Sequence, residues 1–225
     1  MLIDYMNIIA NPTVTLNQCI NFTKKIKTAN KLCMNLIPIL YEEAIKRGIN
    51  PAIAISQAYK ETGYFNFGGV LDASFHNVCG LKNPAGGGDK DKNAHKRFPN
   101  WETGIAAYLD HLALYAGAKS YPRYAADLES YYKSKRLKYD SNKLKQNGVT
   151  EDPRHFTYLH SKCKTVESLS GNWAPSKTYG SDIVKIVKEI ESASNADTSS
   201  SNNNDKAEEL IKEIETKLNE LKKLI

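Results

Sequence analysis

The run at 192–205, Ser-Ala-Ser-Asn-Ala-Asp-Thr-Ser-Ser-Ser-Asn-Asn-Asn-Asp, limits what this chain can fold into more than any other feature. It holds no large apolar side chain, so burial cannot offset the conformational entropy lost on ordering it. It reads as a flexible polar linker. The 225-residue chain therefore divides into a globular part at 1–191, a linker at 192–205 and a last segment at 206–225. A globular part of this size is one sizeable domain.

Within that domain the apolar residues recur with helical spacing. Thr15-Leu16-Asn17-Gln18 has the form of a capping box, and Leu16, Cys19, Ile20, Thr23 and Ile26 follow along one face. A second helix is expected from about Leu36 to Arg47, stopped by Gly48. Asn50 caps a third, and Pro51 sits at its first position, where a missing N–H removes no hydrogen bond. That helix ends near Glu61-Thr62-Gly63. From Tyr64 to Lys96 the period is lost and glycines cluster at Gly68-Gly69 and Gly86-Gly87-Gly88, so loops and one short hairpin are expected. A long helix opens after Pro99-Asn100, carries Ile105, Tyr108, Leu109, Leu112 and Tyr115 as a stripe, and stops at Gly117. A final helix covers about Ser181 to Glu191. The fold class expected is mainly α (α+β), with a small loop or hairpin lobe. The lysine- and tyrosine-rich segment at 124–147 lies outside this plan and reads as a solvated insertion.

Composition excludes several functions. No apolar run approaches the roughly 18 residues that span a bilayer, so no transmembrane segment is expected. The sequence Met1-Leu2-Ile3-Asp4-Tyr5 lacks the layout of a secretory leader. Synthesis in the cytoplasm, with release by lysis or a membrane pore, is the expectation. A net charge of +6 suits a polyanionic partner, nucleic acid or an anionic wall polymer, and equally suits plain solubility. No nucleic-acid-binding motif accompanies it, and no nucleic-acid partner is expected. Cys19, Cys33, Cys79 and Cys163 are too scattered for a zinc cage or a disulfide scaffold and read as buried free thiols. The five histidines form no His-Glu-x-x-His pair, so neither metal nor other cofactor is expected.

One carboxylate stands apart. Ala54, Gln57, Ala58 and Glu61 follow i, i+3, i+4, i+7 spacing and share a face lined with small residues, which lets another element approach. Glu61 there is partly desolvated and lies at the negative end of the helix dipole. Both effects disfavour its charged form and raise its pKa. A carboxyl group that keeps its proton near neutral pH is what a glycosidase needs to protonate a leaving sugar oxygen. The other reading of the same residue is a surface glutamate paired with a lysine.

The surrounding text decides between them. Ala54-Ile55-Ser56-Gln57-Ala58-Tyr59-Lys60-Glu61-Thr62-Gly63 resembles the motif of the family 73 glycoside hydrolases, bacterial peptidoglycan N-acetylglucosaminidases. Asn77-Val78-Cys79-Gly80-Leu81-Lys82, then Arg97-Phe98 with Trp101-Glu102-Thr103-Gly104, then Trp173-Ala174-Pro175 through Tyr179-Gly180-Ser181-Asp182-Ile183 are similar to its later blocks, in family order. The stretches Gly86 to Asp89 and Ala94 to Phe98 are similar to clostridial and phage lytic proteins.

The resemblance implies a lysozyme-like fold and an endo-β-N-acetylglucosaminidase acting on the glycan strands of a Gram-positive wall, as an endolysin released by a phage holin or as an autolysin. It implies Glu61 as general acid and Tyr179 in the active site. It also points to Asn77, Lys82, His95, Trp101 and Trp173 as substrate-binding candidates, although Asn77 also suits a turn, His95 a loop support, and both tryptophans core packing. The second glutamate of many members is absent: between Asn83 and Lys96 the only acids are Asp89 and Asp91. Asp89 is preferred as base or nucleophile, with Asp91, or assistance from the substrate's own acetamido group, as alternatives. A muramidase, a lytic transglycosylase and a non-catalytic wall-binding module are the competing readings.

The segment at 206–225 has its own pattern. Ala207, Ile211, Ile214, Leu218, Leu221 and Ile225 alternate by four and three, the a/d seam of a coiled coil, with Leu210 and Leu224 beside it. An oligomerisation helix is expected there, and hence a homo-oligomer; folding back onto the catalytic domain is the alternative.

Overall fold

The computed structural model describes residues 5–118 and 150–195, with Lys133, Arg136 and Lys138 between them. The readings made for 206–225, for most of 124–147 and for 196–205 lie outside the described residues. Five α-helices stand among those described: α1 (Leu16–Lys25), α2 (Lys31–Lys46), α3 (Pro51–Thr62), α4 (Trp101–Ala116) and α5 (Tyr179–Glu191).

Local chemistry sets most of their ends. Thr15 and Gln18 close the capping box on α1, Thr15 N donating to Gln18 Oε1 at 2.9 Å and Gln18 N to Thr15 Oγ1 at 3.2 Å. Asn50 caps α3 through Ala52 N, and Gly63 ends it in the left-handed conformation at φ 57°. Two starts differ from expectation. Asn30 caps α2 by accepting from Cys33 N at 2.9 Å, so this helix begins before Leu36 and carries Pro38 in its interior. Tyr179, not Ser181, opens α5.

α3 is the centre of the domain, packed on α2 and α5, while α2 also meets α1 and α4. Every residue from Pro51 to Tyr59 is buried. A helix buried all round is possible here because Ala52, Ala54, Ser56 and Ala58 are small enough to let neighbours approach. Arg47 on α2 donates to Asp110 on α4 at 2.6 Å, tying those two helices together. All four cysteines are buried and free.

The β component is smaller than expected. Among the described residues only isolated bridges occur, one of them antiparallel between Lys82 and His95. Lys96 N donates to Leu81 O and Asn83 N to Ala94 O, both at 2.8 Å, and the ladder stops there. Asn83 Nδ2 then bonds the carbonyls of Asn93 and His95, so a side chain takes acceptors that a longer ladder would use. The (α+β) expectation thus reduces to a mainly α fold with a one-bridge loop lobe.

Residues 192–195, assigned by composition to the linker, lie against α1. Gln18 Nε2 donates to Glu191 O and Ala193 O, and Asn21 Nδ2 to Ser194 O. No helix of the described residues is long and apolar enough to cross a membrane.

Candidate active site

The site begins where α3 stops. Gly63, Tyr64 and Phe65 occupy the left-handed region in succession, at φ 57°, 58° and 61°. A non-glycine residue there costs about 1–3 kcal/mol unless its surroundings over-determine it. Thr62 does so: its Oγ1 donates to Ala58 O at 2.7 Å and accepts from Phe65 N at 2.8 Å. Ring contacts of Tyr59 with Tyr64 and Phe65 hold the same turn. The chain leaves α3 abruptly, and the half-buried Glu61 faces a cleft.

Two cavities, of about 320 and 420 Å³, share Glu61, Gly80 and Asp89. Glu61 therefore sits at the junction of a two-armed cleft. Its Oε1 accepts from Trp173 Nε1 at 3.0 Å and from Tyr179 OH. No hydrogen bond among the described residues reaches Oε2, which is left for the cleft. Burial, the largest influence, pushes this carboxyl above its ordinary pKa; the bonds from Tyr179 and Trp173, and nearby Lys60, pull the other way without cancelling it.

Three helices hold the group. Tyr179, on the first turn of α5, also accepts from Gln57 Nε2 at 3.0 Å. Gln57 lies one turn before Glu61 on α3, and its Oε1 accepts from Tyr108 OH on α4 at 3.0 Å. Position depends on close approach. A Cβ on Gly180 would stand 2.4 Å from Val166 O, and one on Gly104 only 1.7 Å from His76 O, so both glycines are required by packing. Trp173 is wedged among Tyr108, His111 and Tyr115, with ring centroids 5.1–6.2 Å apart. Its indole N–H donates to Glu61, and the residue also lines one arm of the cleft. Behind it His111 Nδ1 bonds the buried Asp152 at 2.8 Å.

The opposing wall is the loop lobe. Asp89 lines both cavities and its side chain is 89% exposed. Lys82 Nζ, 2.5 Å away, holds that carboxyl below the ordinary range. Asp91 lines neither cavity; it caps the short turn Lys92–Ala94 through Asn93 N. His95 lines one arm and bonds Asp91 O through Nδ1 at 2.9 Å.

Asn77 is buried at the cleft wall, but its amide is fully occupied. Nδ2 donates to Leu81 O and Lys96 O, and Oδ1 accepts from Leu81 N and, at 3.4 Å, from Cys79 N. It shapes the loop, as the turn reading has it. Trp101 lines neither arm. It packs on Phe67 and His76, at 5.9 and 4.9 Å between centroids, which matches the core-packing alternative.

Gln57, Tyr108 and the His111–Asp152 pair were not among the candidates from sequence. Tyr108, His111 and Tyr115 at i, i+3, i+7 on a helix otherwise rich in Ala and Leu were the available signal. Among the described residues no group of three or more His, Cys, Asp or Glu side chains is arranged to hold a metal.

The glucosaminidase family model, described as mannosyl-glycoprotein endo-β-N-acetylglucosaminidase, matches residues 37–192. An uncharacterised protein of Borreliella burgdorferi is 25% identical over 194 residues, covering 85% of this chain and 80% of that protein. No solved structure matches. The matched span runs from α2 to the end of α5 and takes in Glu61, Asp89, Trp173 and Tyr179 alike: the chain belongs to the glucosaminidase family.

Proposed function

We propose that this protein is an endo-β-N-acetylglucosaminidase that hydrolyses the β-1,4 bond between N-acetylglucosamine and N-acetylmuramic acid in peptidoglycan, on a lysozyme-like fold. One observation carries the reading. At the junction of a two-armed cleft, Glu61 is raised in pKa and gripped at Oε1, and among the described residues no hydrogen bond reaches Oε2. A protonated Oε2 donates to the glycosidic oxygen as the bond breaks. Asp89, exposed and ionised beside Lys82, supplies the opposing charge that an oxocarbenium-like transition state calls for. Two carboxyl groups whose environments push their pKa values apart are the usual mark of divided acid and base duties. Tyr179 and Trp173 hold Glu61 in place, and Lys82 holds Asp89.

The substrate is a wall polymer, so the reading extends to a lytic role, as a phage endolysin or an autolysin of Gram-positive cells. Release from the cytoplasm by a holin and association through the heptad seam at 206–225 belong to the same proposal. Several catalytic domains on one stalk gain avidity for a polymer.

Mass spectrometry of fragments released from purified walls tests the bond assignment. N-acetylglucosamine at the new reducing ends is expected. N-acetylmuramic acid there identifies a muramidase, an anhydro end a transglycosylase, and no release by wild type a binding module.

A further inference from the structure

The two arms of the cleft differ in charge. Beyond the shared Glu61, Gly80 and Asp89, one arm runs along residues 67–71 with Asn77 and His95 and contains no lysine or arginine. The other contains Lys82, His111 and Arg154. Lys82 is neutralised by Asp89. Arg154 is not paired: among the described residues no carboxylate forms a salt bridge with its guanidinium.

The guanidinium is nonetheless held in place. It lies over the Phe156 ring, 4.9 Å from the centroid, and Nη1 donates to Asn83 O at 3.3 Å. The fully buried Asp152 fixes the surroundings, its Oδ1 accepting from Arg154 N and its Oδ2 bonding His111 Nδ1, both at 2.8 Å. A carboxylate accepts only, so Nδ1–H of His111 is the donor in this pair. Among the described residues Nη1 to Asn83 O is the one hydrogen bond of the five-donor guanidinium, and a planar fork of donors suits a carboxylate.

We infer that the Arg154 arm binds the carboxylates borne by the glycan strand, and so sets the direction in which the strand crosses Glu61. The inference rests on the glycan-cleaving reading above. In that strand the two sugars alternate, and only N-acetylmuramic acid carries the lactyl group with its peptide. The anionic sugar goes to the Arg154 arm and the neutral N-acetylglucosamine to the arm of Phe67 and Val70. Two sources supply the same chemistry: the stem-peptide carboxylates when the peptide is attached, and the lactyl carboxylate when it is removed.

Purified glycan strands, with stem peptides intact or enzymatically removed, provide the test. Each is used with free carboxylates and with carboxylates capped as methylamides. Binding is measured with the Glu61→Gln protein, which does not consume the ligand. A charge-assisted contact predicts about tenfold or greater preference for the free acid. Adding Arg154→Gln is expected to bring the ratio near one, whereas Lys185→Gln, on the exposed side of α5, leaves it intact. Preference on intact strands alone assigns the peptide carboxylates, and preference on stripped strands the lactyl group. An equal affinity for free and capped strands overturns the inference, as does a preference that survives Arg154→Gln. Wild type that binds with this preference and cleaves neither strand removes the hydrolase reading while supporting the carboxylate site.

Discussion

The two walls of the cleft are built by opposite means. On the helical wall, Glu61, Gln57, Tyr108 and Tyr179 come from three helices and form one buried chain of hydrogen bonds. On the loop wall, Asn77, Lys82, Asn83 and Asp91 bond mainly to backbone within the same lobe, and Asp89 stands in solvent. The helical wall buries a carboxyl group and raises its pKa. The loop wall leaves one exposed and, with a lysine, lowers it. The two carboxyl pKa values move apart because one group is desolvated by packed helices and the other is exposed beside a lysine.

The largest expected break in that contrast is Glu61→Gln. Gln keeps the acceptor for Trp173 and Tyr179 but has no proton to transfer, so lysis should fall by roughly 10²–10⁴-fold or more. The same variant should be more stable than wild type at neutral pH. The folded-state pKa of Glu61 lies above its unfolded value of about 4.3, so wild type loses stability as pH rises from there through the folded pKa. Melting curves from about pH 4 to 8 check this, with the gap opening as pH rises. A gap that opens toward acid would contradict a buried protonated acid.

Next comes the loop wall. Asp89→Asn is expected to lower turnover by about a hundredfold with almost no change in melting temperature, since the side chain is exposed. Asp91→Asn is expected to change turnover by no more than about twofold, because its cap on the Lys92–Ala94 turn can be made by asparagine. Equal losses would place the base elsewhere.

Gly180→Ala probes the helical wall without removing a polar group. A Cβ 2.4 Å from Val166 O forces the start of α5 to shift, at about 1–3 kcal/mol, and moves Tyr179 with it. Denaturant unfolding should show the loss, and turnover should fall alongside.

The smallest effect is the sharpest on mechanism. Tyr179→Phe removes a bond that favours ionised Glu61, so the pKa of Glu61 should rise further and the alkaline limb of the pH–rate profile move to higher pH. It also leaves Gln57 Nε2 without its partner, at about 1–3 kcal/mol. A limb that moves to lower pH would show that the hydroxyl does not serve the carboxylate.

Much of the helical wall is legible in the sequence. Thr15 with Gln18, and Asn50-Pro51 with Gly63, fix helix ends by contacts within a few residues. The small face around Glu61 followed from its spacing. What escaped depended on distant partners. Gln57 looked like one more residue of a tight face, and its tie to Tyr179 spans 122 positions. Trp101 and Trp173 looked alike on paper; packing sent one to Phe67 and His76 and the other to Glu61. Asp89 and Asp91 differ in surroundings that spacing does not show: Asp91 caps a turn, while Asp89 lines both cavities beside Lys82.

The sequence by itself therefore determined where the helices start and stop, which face of α3 is small, and that Glu61 ends that face, because capping and periodicity act over one or two turns. Only the tertiary structure decided which groups desolvate and hold Glu61, and that Asp89 is paired with Lys82, so that one carboxyl pKa is raised and the other lowered. Desolvation and charge pairing are properties of the space around a group, and α3, α4, α5 and the loop lobe create that space from segments far apart in the chain.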